Sequence, residues 1–114
     1  MIARITLKPG VRLSNLQPQI VLALQVAAGC YGIEALDEMV VTSCNDSTHR
    51  RGSLHYAGAA VDLRSKSIPA DAVERVVERM KVALGVDFDV VLEAWNATAR
   101  EANEHIHLEY QPKS

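Results

Sequence analysis

The sequence predicts an α+β fold, a mainly antiparallel sheet with two main helices packed on it, and three observations carry that expectation. Two segments repeat apolar residues at helical spacing, and five short runs are rich in β-forming residues. Helical and strand patterns also mix along the chain without a β-α-β rhythm, which argues against a parallel α/β sheet. At 114 residues, 48% hydrophobic and 23% charged, the chain supports a single domain over residues 1–114 with one core.

Taken in order, Ile2–Leu7 alternates polar and apolar residues and reads as a short edge strand ended by Pro9-Gly10. Ser14 or Asn15 offers an N-cap for a helix running to about Cys30, with Pro18 in its first turn and Gly29 and Gly32 as stop signals. Ile20, Leu24, Ala27 and Ala28, with Val21, form its apolar stripe. Glu38–Ser43 reads as a strand, Cys44–Ser53 as a polar, cation-bearing loop, and Ala59–Leu63 as a short buried strand. A second helix starts around Ser67–Asp71 and runs to about Leu84, where Gly85 stops it. Its inner face is Val73, Val76, Val77, Met80 and Leu84, and its charged residues take the solvated face. Phe88–Glu93 and His105–Tyr110 read as the last strands. The polar insert between them, Ala94–Asn103, holds the single tryptophan, Trp95.

Composition narrows the function. Twelve Lys+Arg against fourteen Asp+Glu give a formal charge of −2, so no global field recruits nucleic acid or anionic lipid. No apolar run approaches the roughly 20 residues of a membrane span. The N-terminal residues lack the continuous apolar stretch of a signal peptide, so the chain is expected to be cytoplasmic as synthesised. Cys30 and Cys44 lack metal-knuckle spacing and read as small buried thiols.

Chemistry concentrates in two segments. In Ser53-Leu54-His55-Tyr56-Ala57-Gly58-Ala59-Ala60-Val61-Asp62, a loop His, a turn Gly and a strand Asp can bring imidazole and carboxylate together. In Glu104-His105-Ile106-His107-Leu108-Glu109-Tyr110, alternation sets His105, His107 and Glu109 on one face, with Ile106, Leu108 and Tyr110 on the other. One carboxylate and two imidazoles make a metal triad with an open position, as in catalytic zinc sites. Glu104, Glu101 and Glu93 are the acids available to move a proton beside it. Two His and one carboxylate also form the facial triad of non-haem iron enzymes, although there the first His and the carboxylate usually sit closer in sequence.

Ser53–Asp62 resembles the S-x-H-x-x-G-x-A-x-D signature of the M15 family of zinc metallopeptidases, matching it at Ser53, His55, Gly58, Ala60 and Asp62. That family includes D-Ala-D-Ala carboxypeptidases, vancomycin-resistance D,D-dipeptidases and phage L-alanyl-D-glutamate endolysins. Glu104–His107 is similar to its second element, an acid three residues before a His ligand. Ser53–Tyr56 and His105–His107 are equally similar to the Hedgehog signalling domain, and the likeness spans about Thr42–Tyr110. The resemblance implies a Hedgehog/D-Ala-D-Ala peptidase-like fold, Zn²⁺ as cofactor and a peptidoglycan stem peptide as substrate. It implies His55, Asp62 and His107 as zinc ligands and Glu104 as general base, ahead of Glu93 and Glu101. His105 beside the metal, with His49 and Arg50 or Arg51 from the loop before the first motif, would contact the oxyanion or substrate. It also implies a phage or prophage protein released to the cell wall, with a non-catalytic zinc module or a vestigial phage structural protein as the alternatives.

Overall fold

A computed structural model of the chain describes residues 1–44 and 59–113. Its elements run β1 (Arg4–Leu7), α1 (Pro18–Ile33), β2 (Glu38–Ser43), β3 (Ala60–Arg64), α2 (Ala70–Leu84), β4 (Phe88–Glu93) and β5 (His105–Tyr110). The bounds of β2, β4 and β5 coincide with those read from the sequence, and the fold is α+β with two helices.

Helix α1 departs from expectation at both ends. Asn15 takes a positive φ of 63°, so it is a turn residue, and Gln17 in extended backbone is the N-cap. Pro18 then opens the helix, where its missing N–H loses no intrahelical bond. The helix does not stop at its glycines but continues to Ile33. Gly32 has a packing reason to be glycine: a Cβ there would overlap the main-chain carbonyl of Met1. Val21 is exposed rather than part of the inner stripe, which is formed by Ile20, Leu24, Ala27, Ala28 and Tyr31. Helix α2 follows its predicted pattern, burying Val73, Val76, Val77 and Met80, with Pro69 as N-cap and Gly85 closing it at φ 84°.

The five strands form one sheet in the order β1-β2-β3-β5-β4. Three neighbouring pairs are antiparallel, but β1 and β2 are parallel, so the sheet is mixed. The expected lack of a β-α-β rhythm is therefore corrected. A crossover of a dozen or more residues lets neighbouring strands run parallel, and α1 supplies it. The same logic recurs in the second half. Strands β3 and β4 are each antiparallel to β5, hence parallel to each other, with α2 as their crossover and β5 inserted between them.

One core joins both helices to one face of the sheet. Tyr31, Ile20, Val73 and Met80 from the helices meet Met39, Val41, Val61, Leu63, Ile106 and Leu108 from the strands. Both cysteines are buried thiols, as expected, and neither is in a disulfide. Alternation along each strand then sends the polar residues to the opposite, open face. Among the described residues no helix is long and apolar enough to cross a membrane.

Candidate metal and catalytic site

The site is built on the open face, where β3, β5 and β4 lie side by side. Register sets Asp62 opposite His107, Arg64 opposite His105 and Ala60 opposite Glu109, while Glu93 faces His105 from the other flank. The backing is apolar: Leu63, Ile106 and Leu108, whose side chains point the other way, are fully buried. The polar groups are thus mounted on a rigid floor.

His107 is held at both ring nitrogens. Its Nδ1 lies 2.8 Å from Asp62 Oδ1 and its Nε2 lies 2.7 Å from Glu109 Oε1. The bond to Asp62 chiefly, and then that to Glu109, raises its pKa to about 9 against the opposing effect of burial. His105 stands beside this chain, its Nε2 3.9 Å from Asp62 Oδ1 and 3.9 Å from Glu93 Oε2. The His105 Nδ1–H donates to the Asn103 carbonyl at 2.7 Å. In the neutral ring Nε2 is consequently an acceptor, and donation to an oxyanion requires the imidazolium.

Glu104 has a different setting. It precedes β5 by one residue and is 4% exposed. Both its oxygens are engaged: Arg100 Nε donates to Oε1 at 2.9 Å, while Arg100 Nη2 and Ser65 Oγ each donate to Oε2 at 2.6 Å. The Arg100 bonds foremost, helped by Ser65, hold its pKa below the ordinary carboxylate value despite burial. Arg100 also donates to the carbonyls of Ile68 and Ser65 and lies over the Trp95 ring. Glu104 borders a cleft of about 360 Å³ together with Asp62 and His105, walled further by Thr42, Arg64 and Lys66. Glu93 borders a neighbouring cleft with His107 and Glu109, and Glu101 is exposed in the insert.

The fold therefore brings Asp62, His105 and His107 together, while Glu104 borders the same cleft with its carboxylate fully buried against Arg100 and Ser65. His55, His49 and Arg50 lie outside the described residues. Among the described residues no group of three His, Cys, Asp or Glu side chains is arranged to hold a metal ion. Strand alternation places Glu109 on the face of His107, and its i+2 spacing is the signal in the sequence for their bond. The i,i+4 spacing of Arg100 and Glu104 likewise hinted at their pairing. Ser65 had no signal, because its meeting with Glu104 spans 39 positions.

Compared with family models, curated proteins and solved structures, the chain finds no match.

Proposed function

We propose that the chain is a zinc-dependent peptidase that hydrolyses peptide bonds in peptidoglycan stem peptides, of the D,D-carboxypeptidase or L,D-endopeptidase type. The observation that carries this reading is the Asp62–His107–Glu109 chain on the open face of the sheet. A metal-bound His typically donates its second ring N–H to a carboxylate, and Glu109 stands where that acceptor belongs. The Hedgehog-like fold assignment and the phage or prophage origin belong to the same proposal, supported by the motif likeness alone.

The donor set suits zinc. Bonds of about 2.0–2.2 Å in a tetrahedron separate two donor atoms by about 3.3 Å. Asp62 Oδ1 and His107 Nδ1, at 2.8 Å, need part by only a fraction of an ångström. His55 would be the third ligand. Bound there, zinc would polarise a scissile carbonyl and acidify water toward neutrality. The chain's own residues do the rest. Glu104, held ionised on the cleft wall by Arg100 and Ser65, accepts the proton of the attacking water and returns it to the departing amine. His105 contacts the substrate oxygen, with His49 and Arg50 as further contacts.

Glu104→Gln, with zinc retained, is expected to lower hydrolysis of stem peptides by about 100-fold or more, and His107→Ala to lose the metal. Metal analysis alongside turnover checks both. Undiminished turnover in Glu104→Gln would overturn the base assignment, and Glu93→Gln then identifies its replacement. The Arg100–Glu104 pair favours a second reading, a zinc-binding module without turnover, because a carboxylate so engaged is a weakened base. Stoichiometric zinc with no hydrolysis of any wall peptide would select it.

A further inference from the structure

Helix α1 carries no charged residue along its 16 positions. Its buried side steps by four, three and four residues through Ile20, Leu24, Ala27 and Tyr31. The outward side repeats that spacing through Leu22, Val26, Gly29 and Ile33, and all three side chains on it are exposed, Leu22 and Ile33 each at 63%. Two opposite apolar stripes make the helix apolar all round, the pattern of a helix covered on both sides. The sheet covers the first stripe. Beside the second, α2 adds Val82, which is 77% exposed. Two grooves of about 430 and 290 Å³ run along the junction of the helices and share Ala83. Of the charged residues lining them, Arg75 and Arg79 both pair with Glu34 within the chain, which leaves Glu78 for a solvated rim.

We propose that a second copy of the chain covers this face, its α1 lying antiparallel to the first across a two-fold axis. The outer stripe is its own complement in that arrangement. With the axis level with the Ala27–Ala28 peptide, Leu22 stands opposite Ile33 of the second copy and Val26 opposite Gly29, each pair occurring twice. Nothing lies within 4 Å of a Cβ built on Gly29, so the helix surface there is open to the valine. Spacing of this kind is the seam through which helices pack in pairs. Because α1 has no charge to bury, association incurs no ionic desolvation along the seam. The area is sufficient as well. Side by side, α1 and α2 present a surface about 24 Å by about 20 Å. Corrugated by side chains, it is comparable with the roughly 800 Å² that each partner gives to a standard interface. The helices lie on the side of the sheet away from the Asp62–His107 bond, so both copies keep that face open.

Sedimentation equilibrium of the full chain over a range of concentrations is the test. Twice the mass of one chain is expected at concentrations on the order of 10 µM. Leu22→Glu and Ile33→Lys, both at exposed positions, should each weaken dimerisation about 100-fold or more. Circular dichroism of the diluted, monomeric variants should match that of the parent chain. Combined in one chain, the two substitutions should recover part of the lost association, because the antiparallel register sets opposite charges against each other. A parallel pairing would oppose like charges, so a double variant no better than either single one rejects the two-fold arrangement. A monomer at every concentration, or a dimer that neither single substitution weakens, overturns the proposal. So does a monomer that binds phosphatidylcholine vesicles through Leu22 and Ile33, since the face would then belong to a lipid surface.

Discussion

The guanidinium of Arg100 bridges three parts of the chain: the Glu104 carboxylate, and the carbonyls of Ser65 and Ile68 at the exit from β3. Its removal would leave a buried carboxylate with Ser65 as its remaining donor. Arg100→Ala is therefore expected to cost about 3 kcal/mol in chemical denaturation. Adding Glu104→Gln should recover part of that loss, since the uncompensated charge goes with it. The sign with pH follows from the lowered pKa of Glu104. The pair stabilises the fold above the ordinary carboxylate pKa, and that contribution is lost as pH falls through the folded-state value. His107 has the opposite sense. With its pKa raised to about 9, zinc bound there as proposed would have to displace a proton, so apparent zinc affinity would be expected to rise about tenfold per pH unit from pH 7 until that value is reached. Competition with a chelator at several pH values measures it.

Among the elements, α1 shows where local rules mislead. Gly29 and Gly32 look alike as stop signals, yet both lie inside the helix and differ in what surrounds them. Nothing lies within 4 Å of a Cβ built on Gly29, whereas one on Gly32 meets the Met1 main chain. Gly29→Ala is expected to raise stability by about 0.5–1 kcal/mol through helix propensity. Gly32→Ala should lower it by about 1–3 kcal/mol by forcing the N-terminal segment away. Thermal melts of the two single variants make the comparison. The strands were legible because their alternation is local: Ile106 and Leu108 against His105 and His107 needs no knowledge of the partner strand. The helix boundary was not, because what keeps Gly32 in place is a contact with a residue 31 positions earlier.

At the scale of the whole molecule, α+β with two helices followed from pattern alone, but strand order and the parallel β1–β2 pair did not. Both depend on which strands a crossover helix brings together. The site divides the same way. Asp62, His105 and His107 were legible because type and spacing mark them, and the sheet does bring them together. The Ser65 bond to Glu104 and the cation-lined cleft were not, because Ser65 stands 39 positions before Glu104 and Lys8 is far in sequence from Arg64. Helix α2 is also tied to the end of α1 by Arg75 and Arg79, which both pair with Glu34 at 3.0 Å. With β5 hydrogen-bonded on both sides and β1 on the sheet edge, amide exchange should be slowest in β5, at the rate of global unfolding, and faster in β1.

The inserted position of β5 governs when the site can exist. Strands β3 and β4 are made earlier in the chain but do not touch as neighbours; the gap between them is filled only by His105–Tyr110. The strand that completes the sheet is the same one that carries both histidines. A chain in which β5 has not docked therefore has neither a finished core nor the bond between Asp62 and His107. The Asp62–His107 pairing is in this sense a mark that the sheet is complete.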